Sequence, residues 1–117
     1  MRFAELAIFT GEVDSVAGFY ERLLGVAPMH RGDGLAIFKV CDAEVLIHKR
    51  YKAGPGDLPC ENHVAFAVAD IDRSVGDLET KGLSVEIPPR DYEWGRSAYL
   101  RDPSGHLLEI RQEQHDS

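Results

Sequence analysis

An internal repeat is the feature that most constrains the fold of this chain. A strand followed by a helix occurs near the N-terminus and recurs 58 positions later, so that Glu5 corresponds to His63 and Asp14 to Asp72. A hairpin follows in each half, and superposition at an offset of 62 pairs Leu35–His48 with Ser97–Ile110 without a gap. Each half therefore has the order β-α-β-β-β, and neither half buries its own sheet alone.

This repeat predicts an α+β fold made of two tandem βαβββ modules. Facing each other, the modules form a curved mixed sheet with the helices outside and a cavity inside. We expect a single domain, 1–117, whose modules span about 1–52 and 61–112. The stretch 51–61 is rich in Gly and Pro and is predicted to link them.

Apolar periodicity places the individual elements. The first strand is expected at Phe3–Thr10, and the first helix at Val13–Leu24, where Gly25 ends it. In the second half, the helix is expected at Ile71–Lys81. The other predicted strands are Val26–His30, Leu35–Val40, Glu44–Lys49, His63–Ala69, Leu83–Ile87, Arg96–Arg101 and His106–Arg111.

Composition excludes some classes of function. The net charge is −7 and the pI is near 5.1, which argues against a nucleic-acid partner, because such proteins need a basic surface. Two cysteines without a CxxC motif indicate a reduced, cytoplasmic protein. No secretory signal is recognised, and no apolar stretch approaches the ~18 residues of a membrane span.

Glu109 is the most informative polar residue of the closing hairpin. The turn at residues 102–105 contains Pro103 and Gly105, and the returning strand follows it. Alternation places Glu109 on the opposite face from Leu108 and Ile110. A carboxylate in so apolar a strand is either solvated at an edge or faces a positive group.

The repeat brings two further candidates onto an equivalent face. Glu5 shares its face with Ala7, and His63 shares its face with Ala65 and Ala67, while larger apolar residues take the other face. Small residues leave room for a bound group, and three donors on one face suggest a divalent cation. The alternatives are that His63 is a hydrogen-bonded core residue and that Glu5 is exposed near the terminus.

At these residues the chain resembles the vicinal oxygen chelate superfamily, which includes glyoxalase I, fosfomycin-resistance thiol transferases, methylmalonyl-CoA epimerase, extradiol dioxygenases and bleomycin-binding proteins. The resemblance covers essentially the whole chain. The motifs that carry it are Phe19-Tyr-Glu-Arg-Leu-Leu-Gly25, Asn62-His-Val-Ala-Phe-Ala-Val-Ala-Asp70 and Tyr99-Leu-Arg-Asp-Pro-Ser-Gly-His-Leu-Leu-Glu-Ile110.

The resemblance implies metal ligands on the first and last strands of each module. Those positions fall on Glu5, His63, Ile47 and Glu109. The family usually has His where this chain has Glu5, and the fourth position holds Ile47, which cannot bind a metal. His48 is adjacent but needs a shift or bulge to reach the same face. The metal set is therefore Glu5, His63 and Glu109.

The predicted chemistry follows from these donors. A cation with open positions binds two neighbouring substrate oxygens and acts as a Lewis acid. Two carboxylates and one imidazole admit Mn(II), Fe(II), Zn(II) or Ni(II). Glu5 and Glu109 are the candidate catalytic residues, and Glu5 is alternatively a proton-transfer base beside the metal instead of a ligand.

Substrate contacts are predicted at Trp94, Arg96 and Tyr99. The first two belong to a predicted loop, 90–96, in which Arg groups suit anionic oxygens, and Tyr99 shares the parity of the cavity face. The plainer interpretation of this loop is a surface segment whose aromatic side chains cover a sheet edge.

We therefore interpret the chain as a metal-dependent enzyme, a lyase, isomerase or transferase of the glyoxalase I or fosfomycin-resistance type, acting on a small molecule. The resemblance implies a homodimer. The alternatives are a metal-free protein that sequesters a small molecule, as bleomycin-binding members do, or an extradiol dioxygenase.

Overall fold

The computed structural model describes residues 1–55 and 57–114. Gly56 of the predicted linker and residues 115–117 lie outside the described part of the chain. Contacts divide the chain into two compact units. The N-terminal unit is Glu5–Asn62, and the C-terminal unit combines Met1–Ala4 with the chain from His63 onward. The prediction of a single domain with a linker at 51–61 stays a prediction.

The described residues of the N-terminal unit form one helix and four strands. Its strands occur in the order β2-β3-β4-β1, with β1 parallel to β4 and the other pairs antiparallel. The elements are β1 (Arg2–Thr10, which begins in the C-terminal unit), α1 (Val13–Leu24), β2 (His30–Gly32), β3 (Leu35–Val40) and β4 (Ala43–Lys49).

Helix α1 covers one face of this sheet. It ends at Gly25, whose φ of 71° is left-handed and whose N–H donates to the carbonyl of Glu21, as the sequence predicted. Apolar side chains of the helix pack on the strand residues that point towards it. The buried core consists of Ala17, Ala36, Phe38 and Ile47, and Ile8, Val13, Val16, Tyr20, Leu24 and Val45 pack around it.

The predicted strand Val26–His30 is wrong, because the strand lies at His30–Gly32. The cause is a two-residue turn at Asp33-Gly34, where both residues have positive φ, 53° and 76°. Asp-Gly is a favoured pair for such hairpin turns, and the turn fixes β2 against the start of β3. Val26 and Met29 are left exposed before the strand.

The C-terminal unit repeats the same order of elements. Its strands occur in the order β5-β8-β7-β6, with β5 parallel to β8 and the other pairs antiparallel. The elements are β5 (His63–Val68), α2 (Ile71–Thr80), β6 (Val85–Tyr92), β7 (Gly95–Arg101) and β8 (Leu107–Gln112).

Helix α2 packs on one face of this second sheet. The Asp70 side chain caps it by accepting from the backbone N–H of Arg73. Apolar residues of the strands and the helix form the core beneath it. This core consists of Val68, Ile71, Val75, Ala98, Leu100 and Ile110, with Phe66, Leu78, Val85 and Leu108 packed against it.

The loop predicted over residues 90–96 is also wrong. Strand β6 continues through Pro88 and Pro89 to Tyr92, and only Glu93 and Trp94 form the turn into β7. A strand tolerates proline where the missing N–H has no ladder partner, and β6 pairs on one side only, with register shifts before and after Ile87.

The two hairpins do not superpose without a gap. Strand β3 matches β7 at an offset of 62, because Phe38 pairs with Val45 as Leu100 pairs with Leu108, but β4 matches β8 at 63. The second hairpin has one more residue in its turn. The ungapped alignment that equated Ile47 with Glu109 is therefore wrong by one residue, which inverts the face.

The α+β class and the β-α-β-β-β order of each half are confirmed. Each helix packs on the sheet of its own unit, through the two separate cores. Among the described residues, neither helix is long and apolar enough to cross a membrane.

Candidate functional site

The face of the C-terminal sheet that points away from α2 carries the polar side chains. Cross-strand pairing fixes this face, since Ala65 pairs with Glu109, Tyr99 with Glu109, and Ser97 with Arg111. The small residues predicted for it, Ala65 and Ala67, are buried. Alternation along β5, β7 and β8 therefore places His63, Ser97, Tyr99, Glu109 and Arg111 on one surface.

Glu109 is the centre of this surface, and its side chain is only 2% exposed. Oε1 lies 3.2 Å from Nε2 of His63 and 3.1 Å from a terminal guanidinium nitrogen of Arg111. Oε2 accepts from the Ser97 hydroxyl at 2.8 Å and from Nε of Arg111 at 3.2 Å. The sequence left two alternatives, a carboxylate solvated at a sheet edge and one that faces a positive group. The structure supports the second.

These contacts keep Glu109 ionised. Burial by itself raises the pKa of this carboxyl, but the hydrogen bond from His63, the charge and hydrogen bond of Arg111, and the Ser97 hydroxyl outweigh it. The net result lowers the pKa of Glu109 from 4.5 to about 2. A buried carboxylate that stays charged is well suited to act as a ligand of a cation.

His63 contacts Glu109 and Tyr99 on the same face. Since ionised Glu109 only accepts hydrogen bonds, Nε2 of His63 carries the proton in this contact. The ring of Tyr99 meets the imidazole edge-on at 6.0 Å between centroids. His63 is therefore a hydrogen-bonded residue. Its Nε2 also faces the Glu109 carboxylate, so that both side chains could bind one metal ion.

The spacing of His63 and Glu109 fits a shared cation. Metal–nitrogen and metal–oxygen bonds of ~2.0–2.2 Å at tetrahedral or octahedral angles keep two ligand atoms roughly 3.0–3.4 Å apart. The observed separation of 3.2 Å lies in that range. Binding requires that Nε2 lose its proton, which a change of tautomer provides. The pair present in the C-terminal unit therefore fits a divalent cation of the family type.

An aromatic stack adjoins the pair. Tyr92 lies flat against Trp94, with centroids 4.6 Å apart, and meets Tyr99 edge-on at 6.4 Å. The guanidinium carbon of Arg90 lies 5.0 Å from the Tyr92 ring centre. Trp94 is 46% exposed and leaves half of its surface open for contact. Burial chiefly raises the pKa of Tyr92, and the Glu109 charge adds to this.

The Tyr92 hydroxyl is unusual within this stack. It is buried and has no hydrogen-bond partner among the residues that the structure describes. A hydroxyl without a partner is costly in an interior.

Arg96, the third predicted substrate contact, lies on the opposite face of β7 from Tyr99. Its guanidinium donates to both oxygens of Asp72 at the start of α2, at 3.1 and 2.9 Å, and to Asp91 at 3.2 Å. Three bonds to two carboxylates hold the side chain at the helix side of the sheet. The structure thus brings Tyr99 to His63 and Glu109, and Trp94 close to them through Tyr92, but directs Arg96 elsewhere.

Glu5 and the fourth-ligand position belong to the N-terminal unit. Glu5 is only 6% exposed and lies opposite Glu44 in the β1–β4 ladder, so the alternative that it is exposed near the terminus is wrong. Ile47 is buried in the α1 core on the other face. His48 shares the Glu5 face without any bulge, contrary to expectation, and packs on Phe9.

Sequence reasoning assigned no role to Ser97 or Arg111, and it placed Tyr92 only within the loop predicted to contact the substrate. All three lie on the face of Glu109 or in the stack beside it. For the first two a signal was available in strand parity, because Arg111 lies two residues from Glu109 and Ser97 lies two residues from Tyr99. Tyr92 was hidden by the expectation of a loop where β6 continues.

Comparison with known proteins reveals relatives that are longer than this chain. The anthracycline biosynthesis protein DauV of Streptomyces sp. (strain C5) is 32% identical over 114 residues, which cover 90% of this chain and 40% of DauV. The uncharacterized protein YraH of Bacillus subtilis (strain 168) is 34% identical over 67 residues, 56% of this chain and 52% of YraH. The chain thus spans about half or less of these relatives.

Solved structures share the fold. A variant of Streptomyces coelicolor methylmalonyl-CoA epimerase, in complex with 2-nitronate-propionyl-CoA, matches with a TM-score of 0.72 and 22% identity, covering 98% of this chain and 99% of that one. The hypothetical protein BH1468 of Bacillus halodurans C-125 matches with a TM-score of 0.77 and 15% identity, covering 99% and 96%. At such identities the likeness concerns the fold alone.

The family itself is established by a match along nearly the whole chain. The family model described as Glyoxalase/Bleomycin resistance protein/Dioxygenase superfamily matches residues 2–110. This range contains both helices and every candidate ligand discussed above. The chain belongs to the glyoxalase, bleomycin resistance protein and dioxygenase superfamily, the group also called vicinal oxygen chelate proteins.

Proposed function

We propose that this protein is a metal-dependent enzyme of the glyoxalase I or fosfomycin-resistance type, in which Glu5, His63 and Glu109 hold a divalent cation. The observation that carries the proposal is the buried pair of His63 and Glu109 at 3.2 Å. A charged carboxylate and an imidazole on a face lined by alanines suit Mn(II), Fe(II), Zn(II) or Ni(II).

When bound, the cation would supply Lewis-acid chemistry, which stabilises negative charge that develops on neighbouring oxygens of a small substrate. The residues of the chain provide the rest. Ser97 and Arg111 fix the orientation of the Glu109 carboxylate, and the Tyr99 ring restrains His63. In the alternative role, Glu5, which is buried in β1, is not a ligand but the base beside the metal that takes a proton from the substrate.

The substrate is proposed to be a small molecule that contacts the exposed half of the Trp94 side chain and the Tyr99 side chain. The relative named for anthracycline biosynthesis is consistent with small-molecule chemistry. Arg96 remains in the proposal as a substrate contact only if it leaves Asp72 and Asp91, to which it is bound. A homodimer and a cytoplasmic location also belong to the proposal.

A second candidate function is a metal-free protein that sequesters its ligand. The specific observation in its favour is that Arg111 already neutralises Glu109, as an internal cation does in a site without metal. An extradiol dioxygenase is less well supported, because iron sites of that kind combine two His with one carboxylate, whereas the set proposed here has one His.

Metal binding is the first test. We expect His63→Ala and Glu109→Ala each to abolish tight binding of Mn(II), Zn(II) or Ni(II), while His106→Ala, which removes an exposed histidine paired with Asp102, leaves it unchanged. Metal stoichiometry of protein purified without an affinity tag, with thermal unfolding of each variant, decides the point. Full occupancy in both site variants would contradict the proposed metal site.

The second test separates the enzyme from the sequestering protein. Glu5→Gln keeps the size and hydrogen-bonding capacity of the side chain but removes its charge and its ability to take a proton. Wild type and variant are assayed with methylglyoxal–thiol adducts, fosfomycin with thiols, and catechols. Each assay is run with Mn(II), Fe(II), Zn(II) or Ni(II). Metal-dependent turnover that the variant loses supports the enzyme. Metal-free binding of a bulky ligand that the variant retains supports sequestration.

A further inference from the structure

The contact between Arg111 and Glu109 bears on how metal enters the site. The guanidinium contacts both carboxylate oxygens, at 3.1 and 3.2 Å, from a position two residues along the same strand. Residues two apart on a strand share a face, so β8 itself places a positive charge beside the central ligand. Arg111 is 25% exposed, whereas Glu109 is 2% exposed, so the pair is largely withdrawn from water.

The carboxylate has no oxygen without a donor in this arrangement. Oε1 is shared by His63 and Arg111, and Oε2 is shared by Ser97 and Arg111. A cation placed between His63 and Oε1 would lie beside the guanidinium charge. Two positive charges a few ångströms apart in a site of low dielectric repel each other strongly.

We propose that Arg111 is the built-in counter-cation of Glu109, which neutralises it in the metal-free protein and thereby lowers the metal affinity of the site. This inference rests on the proposed function, because it concerns the same carboxylate. Arg111 acts through Glu109 and is a positioning residue. Metal binding requires the guanidinium to move off Oε1, and the exposed part of the side chain gives it room to do so.

The test uses two substitutions at one position. Arg111→Gln removes the charge but keeps an amide donor, and Arg111→Lys keeps the charge but loses the two-pronged contact. Binding of Mn(II) to metal-free protein is measured by calorimetry at a pH of about 7.5, where Glu109 is ionised. We expect Arg111→Gln to bind Mn(II) about ten-fold more tightly than wild type, since a like charge is removed, and Arg111→Lys to stay within about three-fold.

A matched control keeps the net charge constant. Arg73→Gln removes the same charge from an exposed position on α2, which packs on the other face of the same sheet, and it should change the affinity by less than about two-fold at moderate salt. Unfolding of each metal-free variant is measured as well. Arg111→Gln should unfold more easily without metal, because the buried Glu109 carboxylate loses its guanidinium partner and keeps only His63 and Ser97, and should gain more from added Mn(II) than wild type does.

Each result has a defined meaning. Tighter Mn(II) binding by Arg111→Gln alone, or binding by that variant when wild type shows none, supports the counter-cation. Equal or weaker binding by Arg111→Gln, with wild type binding Mn(II), overturns the inference but leaves the metal site intact. Absence of Mn(II) binding in every variant overturns the proposed metal site and the inference with it.

Discussion

The two units share one order of strands and helix, but the side chains on their sheets differ. They differ most on the faces that point away from the helices. In the C-terminal unit this face carries His63, Ser97, Glu109 and Arg111, joined by hydrogen bonds. In the N-terminal unit, the residues at the positions matching the last three are two leucines and one histidine. Those residues are Leu35, Leu46 and His48.

This difference shows that repetition of a fold does not repeat its chemistry. The strand positions are equivalent, because Ala7 pairs with Leu46 as Ala65 pairs with Glu109. Only the side chains differ, so that the C-terminal unit has a charged network where the N-terminal unit has a leucine. The helix faces, in contrast, are alike, since both are cores of mainly aliphatic residues.

The largest expected effect comes from a charged side chain introduced on either face of β4, which tests whether the two faces differ as described. Ile47→Glu puts a carboxylate into the α1 core, where Ile47 is fully buried, and should cost more than about 4 kcal/mol of unfolding free energy. Leu46→Glu places the same charge on the other, half-buried face and should cost about 1–2 kcal/mol. Denaturant unfolding measures both. A larger loss from Leu46→Glu would show that the offset of 63 for β4 is wrong.

The charged network of the C-terminal unit predicts a specific loss of stability in acid. Because folding lowers the Glu109 pKa from 4.5 to about 2, its contribution is complete above about pH 4.5 and is lost as the pH falls towards 2. The full contribution is on the order of 3 kcal/mol. Glu109→Gln removes this component, so its unfolding free energy in EDTA should approach that of wild type as the pH falls from about 4.5 to about 3.

The control for this pH series is Glu86→Gln, which removes an exposed carboxylate paired with Arg101. It should cost at most about 1 kcal/mol at neutral pH. A constant difference between wild type and Glu109→Gln from neutral pH down to about pH 3 would contradict a carboxylate kept ionised by His63, Ser97 and Arg111.

The smallest expected effect compares one tyrosine hydroxyl in each unit. In the N-terminal unit, the Tyr51 hydroxyl donates to the carbonyl oxygens of Leu58 and Pro59, at 3.0 and 3.2 Å. Tyr51→Phe should therefore cost about 1 kcal/mol. The Tyr92 hydroxyl has no partner among the described residues, so Tyr92→Phe should leave the unfolding free energy unchanged within about 0.5 kcal/mol or raise it. A clear loss in Tyr92→Phe, measured by denaturant unfolding, would reveal a bond to that hydroxyl.

Most elements of the fold were predictable because they depend on local patterns. The bounds of α1 and β3 agree with the apolar spacing, and Gly25 ends α1 in the predicted left-handed conformation. The strand at β2 was missed although Asp33-Gly34 is a strong hairpin signal. The full length of β6 was missed because its two prolines suggest a loop, and only the pairing with β7 shows that the strand tolerates them.

The sequence by itself determined the repeat, the class of fold, the helices and the face on which Glu109 lies, since these follow from residue spacing within short segments. Tertiary structure alone decided the registers between strands. The extra residue in the second hairpin turn shifts β8 by one position against β4, so that the position equivalent to Glu109 is Leu46 and not Ile47. Tertiary structure also decided which residues surround Glu109. The strands of Ser97 and Arg111 meet only when the hairpin closes, and β5 brings His63 from a distant part of the chain.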